Sequence, residues 1–396
     1  GKSGGDGPGN VTPRELIWRR KRQCRKHDDG SEDGTDGRIH KCGIEPTIPS
    51  QGGPGEVVGE TERQGGGYRK AQYQQNPPTI TTTFKKNLAV GFHGYDSGES
   101  GWFDAGSIPA MSIVVVGSVG IDLVAVSPRL PKVGETVLAN QPLHIGPGGK
   151  GFNQAVGVAR LGGDVRFATK TGSRDLGRQA QAFLQAEGLL GPLVRQSDKD
   201  NQVALIFVDD TGRNMISGPP GASADVLPAD VADLDLNNGD ILLAQLEIPV
   251  STVTAAAENA KAKGARVVLN PAPAAPLPAE LLAAIDIATP NETELSILTG
   301  MPTDTTSDVV AAGERLLELG VNEVVATIGS KGSVHIDRSG STSYPSLLVD
   351  AVDTTGAGDA FNAGLVVGMS RGLSLGDSIQ LGNRAGAYCV TRLGVL

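Results

Sequence analysis

Cysteine is nearly absent. The 396 residues hold three, and only Cys389 lies beyond position 42. That count excludes a disulfide framework over most of the chain and fits a reducing compartment. Tryptophan occurs only as Trp18 and Trp102, and no methionine precedes Met111. No run of 18 apolar residues exists, so hydropathy offers no membrane-spanning helix. Neither Gly1 nor Met111 opens a charged, apolar, small-residue leader pattern. The expectation is a soluble, cytoplasmic protein. Beyond the first 110 residues the only histidines are His144 and His335. Neither has a Cys, His or carboxylate at metal-ligand spacing, so both read as structural. The chain also lacks G-x-x-x-x-G-K-[ST]; its initial Gly1-Lys2-Ser3 has no preceding strand and loop, which excludes a P-loop mechanism.

What is present divides at Met111. Residues 1–110 hold 21 of the 55 glycines and show no sustained apolar period of 3.6 or 2. Runs such as GKSGGDGPGN and QGGPGEVVGE bury too little apolar surface to offset chain entropy. We expect 1–110 to be a disordered or non-native extension, since a chain that lacks an initial Met and opens its fold at its first Met resembles translated upstream sequence. The basic run RRKRQCRK (Arg19 to Lys26) has the form of a nuclear address or nucleic-acid arm, but reads as a solvated charge cluster. The extension carries 15 Lys+Arg against 14 Asp+Glu, and 111–396 carries 20 against 30. An acidic body argues against nucleic acid as a partner. It leaves a phosphate ligand open, because backbone N–H groups hold anions without net charge.

From Met111 onward, β-branched runs alternate with helical patterns, which indicates an α/β layer fold with a mostly parallel sheet. Core strands are expected at Ile113–Gly117, Val165–Thr169, Ile241–Gln245, Arg266–Asn270, Ile285–Thr289 and Val324–Ile328. Helices are expected at Asn153–Leu161, Gly177–Glu187, Pro249–Lys263, Glu292–Thr299 and Asp308–Leu319. Shorter strands at Leu123–Val126, Thr136–His144 and Val203–Val208, joined by Gly, Pro and Asp turns, suit a small separate sheet over one edge. Such an arrangement leaves a cleft between a rigid sheet and a cover.

Four stretches carry chemistry. GPGGKGFNQAVGVARLGG begins at Gly146 and formally satisfies G-x-G-x-x-G through Gly146, Gly148 and Gly151. It is not in the first βα turn, and no strand with an acidic end follows at the required distance, so the match to a dinucleotide fingerprint is weak. Bare positions at 148, 149 and 151 still admit a ligand to the backbone, with Lys150 and Asn153 as donors for hydroxyls; a structural Gly-rich helix entry fits too. In Asp353–Phe361 (DTTGAGDAF), Gly356, Ala357 and Gly358 can present N–H groups at a helix N-terminus, a seat for a phosphoryl group. Asp359 would face the same point. A carboxylate there is wasteful unless it takes a proton from an attacking hydroxyl; an acidic first turn answering the helix dipole is the alternative. Thr327–Gly332 (TIGSKG) follows an apolar strand with a turn suited to lie along a nucleotide. Asn291 and Glu294 stand at i, i+3 and can face one side, as a water-bound Mg²⁺ needs, although capping alone also explains Asn291.

In this order the four stretches make 112–395 resemble a ribokinase of the PfkB-type carbohydrate kinase family, with GGKGFNQA (148–155) and DTTGAGDAF (353–361) as its two patterns. AQLEIP (244–249), LNPAPA (269–274) and VTRLG (390–394) look more like ribokinase than like adenosine kinase or fructokinases. The resemblance implies a doubly wound α/β domain, residues 111–396, with a β-sheet lid at about 120–145 and 202–220 that often forms a homodimer interface. It implies ATP-dependent phosphorylation of a sugar's primary hydroxyl, D-ribose to D-ribose 5-phosphate, with Asp359 as general base and Gly356, Ala357 and Gly358 as anion hole. Sugar-holding positions are Gly120, Asp122, Gly148, Gly149, Lys150, Asn153 and Glu247. Nucleotide positions are Asn291, Thr327, Gly329, Ser330, Lys331, Gly332, Gly358 and Asn383. Glu294 would serve Mg²⁺ through water. Asp353, Thr355, Val390, Leu393 and Val395 would hold K⁺.

Three departures stand out. An Asn that ribokinases commonly use on the sugar is Gly120 here, and the usual G-A-N reads Gly221-Ala222-Ser223. Loss of a buried hydrogen bond to a hydroxyl costs about 1–3 kcal/mol, enough to alter sugar preference. The chain also stops at Leu396, where such proteins continue, so a monovalent site short of one ligand and an open nucleotide pocket are expected. Kinases for another sugar or nucleoside, and a binding protein without turnover, are the alternatives.

Overall fold

The β-branched runs become the strands of the main sheet, and their alternation decides which helices they meet. The computed structural model describes residues 111–392 and Gly394; the extension 1–110 and the expected K⁺ ligands Leu393 and Val395 lie outside the described residues. Strand β1 (Ile113–Val116) is buried throughout. Ile113 and Val115 pack into one core, and Val114 and Val116 into another, because successive side chains leave a strand on opposite faces. Hydrophobic-all-along strands of this kind belong to parallel sheets covered on both sides.

After β1 come β2 (Gly120–Ser127) and β3 (His144–Gly148), then helix α1 (Lys150–Arg160), β4 (Val165–Thr171), α2 (Asp175–Ala186) and β5 (Val194–Gln196). Next are β6 (Gln202–Asp209), β7 (Asn214–Ser217), β8 (Ile241–Gln245), α3 (Val250–Ala262), β9 (Arg266–Asn270), α4 (Ala279–Ala284) and β10 (Ile287–Ala288). The series closes with α5 (Glu292–Thr299), α6 (Thr306–Glu318), β11 (Glu323–Thr327), β12 (Ser333–Asp337), β13 (Gly340–Tyr344), α7 (Ala357–Ser370) and α8 (Leu375–Cys389). The main sheet runs β13-β12-β11-β10-β9-β8-β1-β4-β5. It is parallel from β5 to β11, and β12 and β13 complete it antiparallel.

One core joins alternate strand residues to α3, α4 and α6 through Ala256, Leu281 and Leu316. The other joins them to α1, α7 and α8 through Phe152, Leu365 and Ile379. Helix α7 is buried without interruption from Phe361 to Ser370, a run with only Asn362 and Ser370 polar, because α1 and α8 flank it. A helix hydrophobic all round is a buried helix.

The second sheet, β3-β2-β6-β7, is the lid. Strands β2 and β6 are parallel, and β3 and β7 flank them antiparallel. The strand expected at Thr136–His144 is irregular up to Leu143, and β3 starts at His144. Continuing the β2–β3 register past Val124↔His144 would set Pro142 opposite Val126. Proline has no N–H for the ladder; Asn140 donates to the Val126 carbonyl instead, at 3.0 Å. The run Ile285–Thr289 pairs only at Ile287–Ala288.

Candidate active site

Parallel strands bring their C-terminal ends to one edge of the main sheet, and in such folds ligands bind outside that edge. Several of these strands end in, or are followed within two residues by, a polar residue: Ser118 after β1, Gln245 on β8, Asn270 on β9, Thr289 after β10 and Thr327 on β11. The N-termini of α1 and α7 come down over them. A cavity of about 210 Å³ lies there, lined among others by Lys150, Asn291, Glu294, Thr327, Gly358 and Asp359.

Asp359 sits in the first turn of α7, 7% exposed. Its Oδ1 accepts from Gln154 Nε2 at 2.9 Å and its Oδ2 from Asn153 Nδ2 at 3.0 Å. Burial pushes its pKa above the ordinary carboxylate value; the Lys150 charge and the two amide donors pull it back, while Glu247 pushes it up. A buried, hydrogen-bonded carboxylate facing a cavity is a candidate proton acceptor. Beside it, α7 begins from Gly356, whose φ of 77° is left-handed. Ala357 N–H turns back to the Thr354 carbonyl at 3.3 Å, while among the described residues no backbone carbonyl takes the N–H groups of Gly358 or Asp359. A Cβ on Gly358 would meet nothing within 4 Å, so packing does not demand that glycine. Open donors, the helix dipole and free space above them are the features an anion seat requires.

On the lid side, Glu247 Oε2 accepts from Ser118 Oγ at 2.5 Å and from Lys150 N–H at 2.8 Å. Asp122 projects from β2 over Gly148, where a Cβ would lie 2.0 Å from its Oδ1. Only glycine leaves that carboxylate its place. Gly120 pairs with Gly148 on one side and Gln202 on the other. A Cβ on Gly120 would meet Gly148 and Gln202 at 3.4–3.5 Å, ordinary contact, so packing does not demand glycine there. Asn153 Oδ1 and Gln202 Oε1 are buried and have no hydrogen-bond partner. Ser223 is also fully buried, in the turn Gly221–Asp225, with its hydroxyl unpaired.

Asp122 is pushed up to about 7, first by burial and then by the nearby Glu247 charge. Folding thus disfavours its ionised form. The resulting penalty is absent below the unfolded value of 3.8 and complete above the folded one. Asp122→Asn removes the group. Its melting temperature relative to the parent should therefore rise between about pH 4 and about pH 7, then level off. A difference independent of pH would refute this assignment.

The nucleotide-side residues are only partly gathered. Asn291 and Glu294 form a reciprocal cap on α5: Glu294 N–H donates to Asn291 Oδ1 at 2.8 Å, and Asn291 N–H to Glu294 Oε2 at 2.9 Å. Both also line the cavity, and Thr327 bridges to Asn291 beside them. Burial raises the Glu294 pKa. Gly329–Lys331 is a single 3-10 turn with Ser330 and Lys331 exposed. Asn383 is 6% exposed and donates to the Tyr344 carbonyl at 3.0 Å, which ties α8 to the end of β13. At the far side of the anion seat, Asp353 Oδ1 accepts from Thr355 N–H at 2.9 Å and Oδ2 from Gly394 N–H at 3.1 Å. The Val390 carbonyl accepts from Val352 and Asp353 N–H, so Asp353, Thr355 and Val390 meet at one junction.

The profile described as pfkB family carbohydrate kinase matches residues 110–396. The chain belongs to the pfkB family. Among relatives, a ribokinase of Haemophilus influenzae is 39% identical over 287 residues, covering 72% of this chain and 93% of its own. A deoxyribokinase of Salmonella typhi is 39% identical over 255 residues, covering 63% and 83%. The structure of Arabidopsis thaliana ribokinase complexed with ribose and ATP superposes with a TM-score of 0.66 at 34% identity, covering 72% of this chain and 94% of that one. The two-sheet architecture with its lid is that of ribokinases, and as a pfkB-type enzyme this protein is an ATP-dependent kinase of the sugar and nucleoside class. Among the described residues no helix is long and apolar enough to cross a membrane.

Sequence reasoning did not single out Gln154, Gln245, Asn270, Thr289 or Asn362. Thr289 Oγ1 donates to Asn362 Oδ1 at 2.7 Å, and Asn362 Nδ2 to the Gly358 carbonyl at 2.8 Å, fixing the start of α7 to the sheet. A signal existed for Gln245, Asn270 and Thr289: each closes or directly follows a mainly apolar strand.

Proposed function

We propose that this pfkB-family kinase transfers the γ-phosphoryl of ATP to the primary hydroxyl of D-ribose, giving D-ribose 5-phosphate and ADP. The observation that carries the reading is Asp359, buried and held by two amides, beside the open N–H groups of Gly358 and Asp359. Asp359 takes the hydroxyl proton as the oxygen attacks phosphorus in line, and ADP departs. The N–H groups at the head of α7, with the room above Gly358, stabilise the charge on the transferring group. Asp122, Glu247, Lys150 and Asn153, with the bare backbone of Gly148 and Gly149, hold the sugar. Asn153 Oδ1, buried without a donor, is the acceptor left over for a hydroxyl.

Thr327, Asn291 and the Gly329–Gly332 loop, with Ser330 and Lys331 at its surface, lie along the nucleotide in this reading, and Asn383 supports that loop through β13. Asn291 and Glu294 present polar atoms to the cavity and would hold Mg²⁺ through water; bound there, the ion would offset the phosphate charge. Asp353, Thr355 and Val390 converge where a K⁺ would sit. The domain reading is 111–396 as one kinase domain with its lid. Leu205, Phe207, Met215 and Ile216 leave apolar area exposed on the lid, which suits a homodimer through that sheet.

A second reading, another sugar or a nucleoside as acceptor, is favoured by Gly120 in place of the Asn common in ribokinases and by the similarity to a deoxyribokinase. ADP release measured over D-ribose, 2-deoxy-D-ribose, fructose and nucleosides decides it. D-Ribose is expected to give the highest kcat/KM, and rates in K⁺ buffer should exceed those in Na⁺ buffer. A nucleoside in first place would overturn the ribose assignment, and equal rates without any monovalent cation would overturn the Asp353 site.

A further inference from the structure

Behind Asp359 runs a chain of buried amides that proton transfer alone does not call for. Gln154 is fully buried on α1, and its amide is committed at both ends. Nε2 donates to Asp359 Oδ1 and to Asn270 Oδ1, each at 2.9 Å. Oε1 accepts from Gln245 Nε2 at 2.5 Å. Gln245 is likewise fully buried at the end of β8. A Cβ on Gly117 would lie 2.2 Å from Gln245 Oε1, so the residue after β1 yields its space to this amide. Asn270 is pinned in turn, its Nδ2 donating to the Thr289 carbonyl at 3.2 Å.

The chain has one workable direction. Turning Gln154 about would set its carbonyl against both the Asp359 carboxylate and Asn270 Oδ1, and its NH₂ against that of Gln245. Partly satisfied buried networks are costly, so neighbours that forbid the reversed amide fix it firmly.

We propose that Gln154, oriented by Gln245 and Asn270, is the positioning residue of the base: it holds Oδ1 of Asp359 and so fixes the plane in which the carboxylate, its Oδ2 held by Asn153, receives the proton. The source of that proton rests on the kinase reading; the positioning itself does not. Charged or titratable groups face Asp359 from the neighbouring elements: Lys150 from α1, Glu247 after β8, Glu294 from α5 and Cys389 from α8. Replacing Gln154 leaves all four in place. Loss of its N–H removes a bond to the ionised form, so the Asp359 pKa rises and the acidic limb of kcat moves to higher pH.

The test uses the full chain with Gln154→Leu, Gln245→Leu and the double variant. Gln154→Leu should lower kcat about 10- to 100-fold with both KM values within about threefold, and shift the acidic limb upward. Gln245→Leu should do the same more weakly. The double variant should be no slower than Gln154→Leu, because Gln245 acts only through Gln154. Parental kcat, an unmoved limb, or losses that multiply in the double variant overturn the proposal. Gln154→Met replaces Leu if thermal melting shows the latter misfolded. If the parent turns over no acceptor, the kinase reading fails by itself. The positioning is then decided by ¹³C NMR titration of the Asp359 carboxyl: an upward shift in Gln154→Leu supports it, and an unchanged titration overturns it.

Discussion

Asp359→Asn should lower kcat by at least about 10²-fold while leaving the KM for sugar within a few-fold, the pattern of a lost general base. The amide cannot take the hydroxyl proton, yet its carbonyl can still accept from one of the two donors that now hold the carboxylate. The fold should not suffer. Burial already pushes the Asp359 pKa up, so the ionised carboxylate is a burden on the folded state that the neutral amide lifts. Melting of the variant should match or exceed the parent above neutral pH. Stopped assays with radiolabelled ATP give kcat, and near-parental turnover would sink the base assignment.

Gly151→Ala is expected to cost stability and activity together. A Cβ there would lie 2.6 Å from the Ser118 nitrogen and 2.7 Å from both the Gly117 carbonyl carbon and the Ser118 oxygen. All three are backbone atoms of the turn after β1, which no rotamer change can move aside. Helix α1 must lift instead, against the bond from Phe152 N–H to the Ser118 carbonyl at 2.9 Å. Overpacking of this kind costs about 1–3 kcal/mol, a loss of several degrees in Tm for a domain of this size. Because Lys150, Asn153 and Gln154 ride on the same turn of helix, kcat/KM should fall at least about 10-fold as well. Differential scanning calorimetry with the ADP assay measures both, and an unchanged Tm would show that the turn adapts.

The fold was legible wherever burial imposed a period. The limits of β8, β9 and α5 coincide with their sequence expectations because each apolar run is bounded by a polar, Pro or Gly residue. Legibility failed at Thr136–His144, where strand-forming side chains lack a partner that can continue the ladder past Pro142. It also failed at β12 and β13, an antiparallel edge carrying polar residues. The head of α7 could be read because glycines beside an acid have few uses. The amides of Gln154, Gln245 and Asn270 could not be read, since they meet only after three separate elements pack together. Asn291 and Glu294 were open between cap and cavity, and the structure gives them both positions at once.

In its first pass the lid leaves the body at 117–119 before β2 and rejoins it at Gly149 alone between β3 and α1. Its second pass, β6 and β7, is joined to the body through 197–201 and 218–240. Gly120, Asp122 and Gly148 sit on the lid side of those seams, while Asp359 and its amides sit on the other. Under the proposed function, acceptor contacts are thus drawn from both sides of the seam, with Lys150, Asn153 and Glu247 on the body side. Exchange of the lid strands alone would vary one part of the hydroxyl pattern and leave the residues around Asp359 unedited.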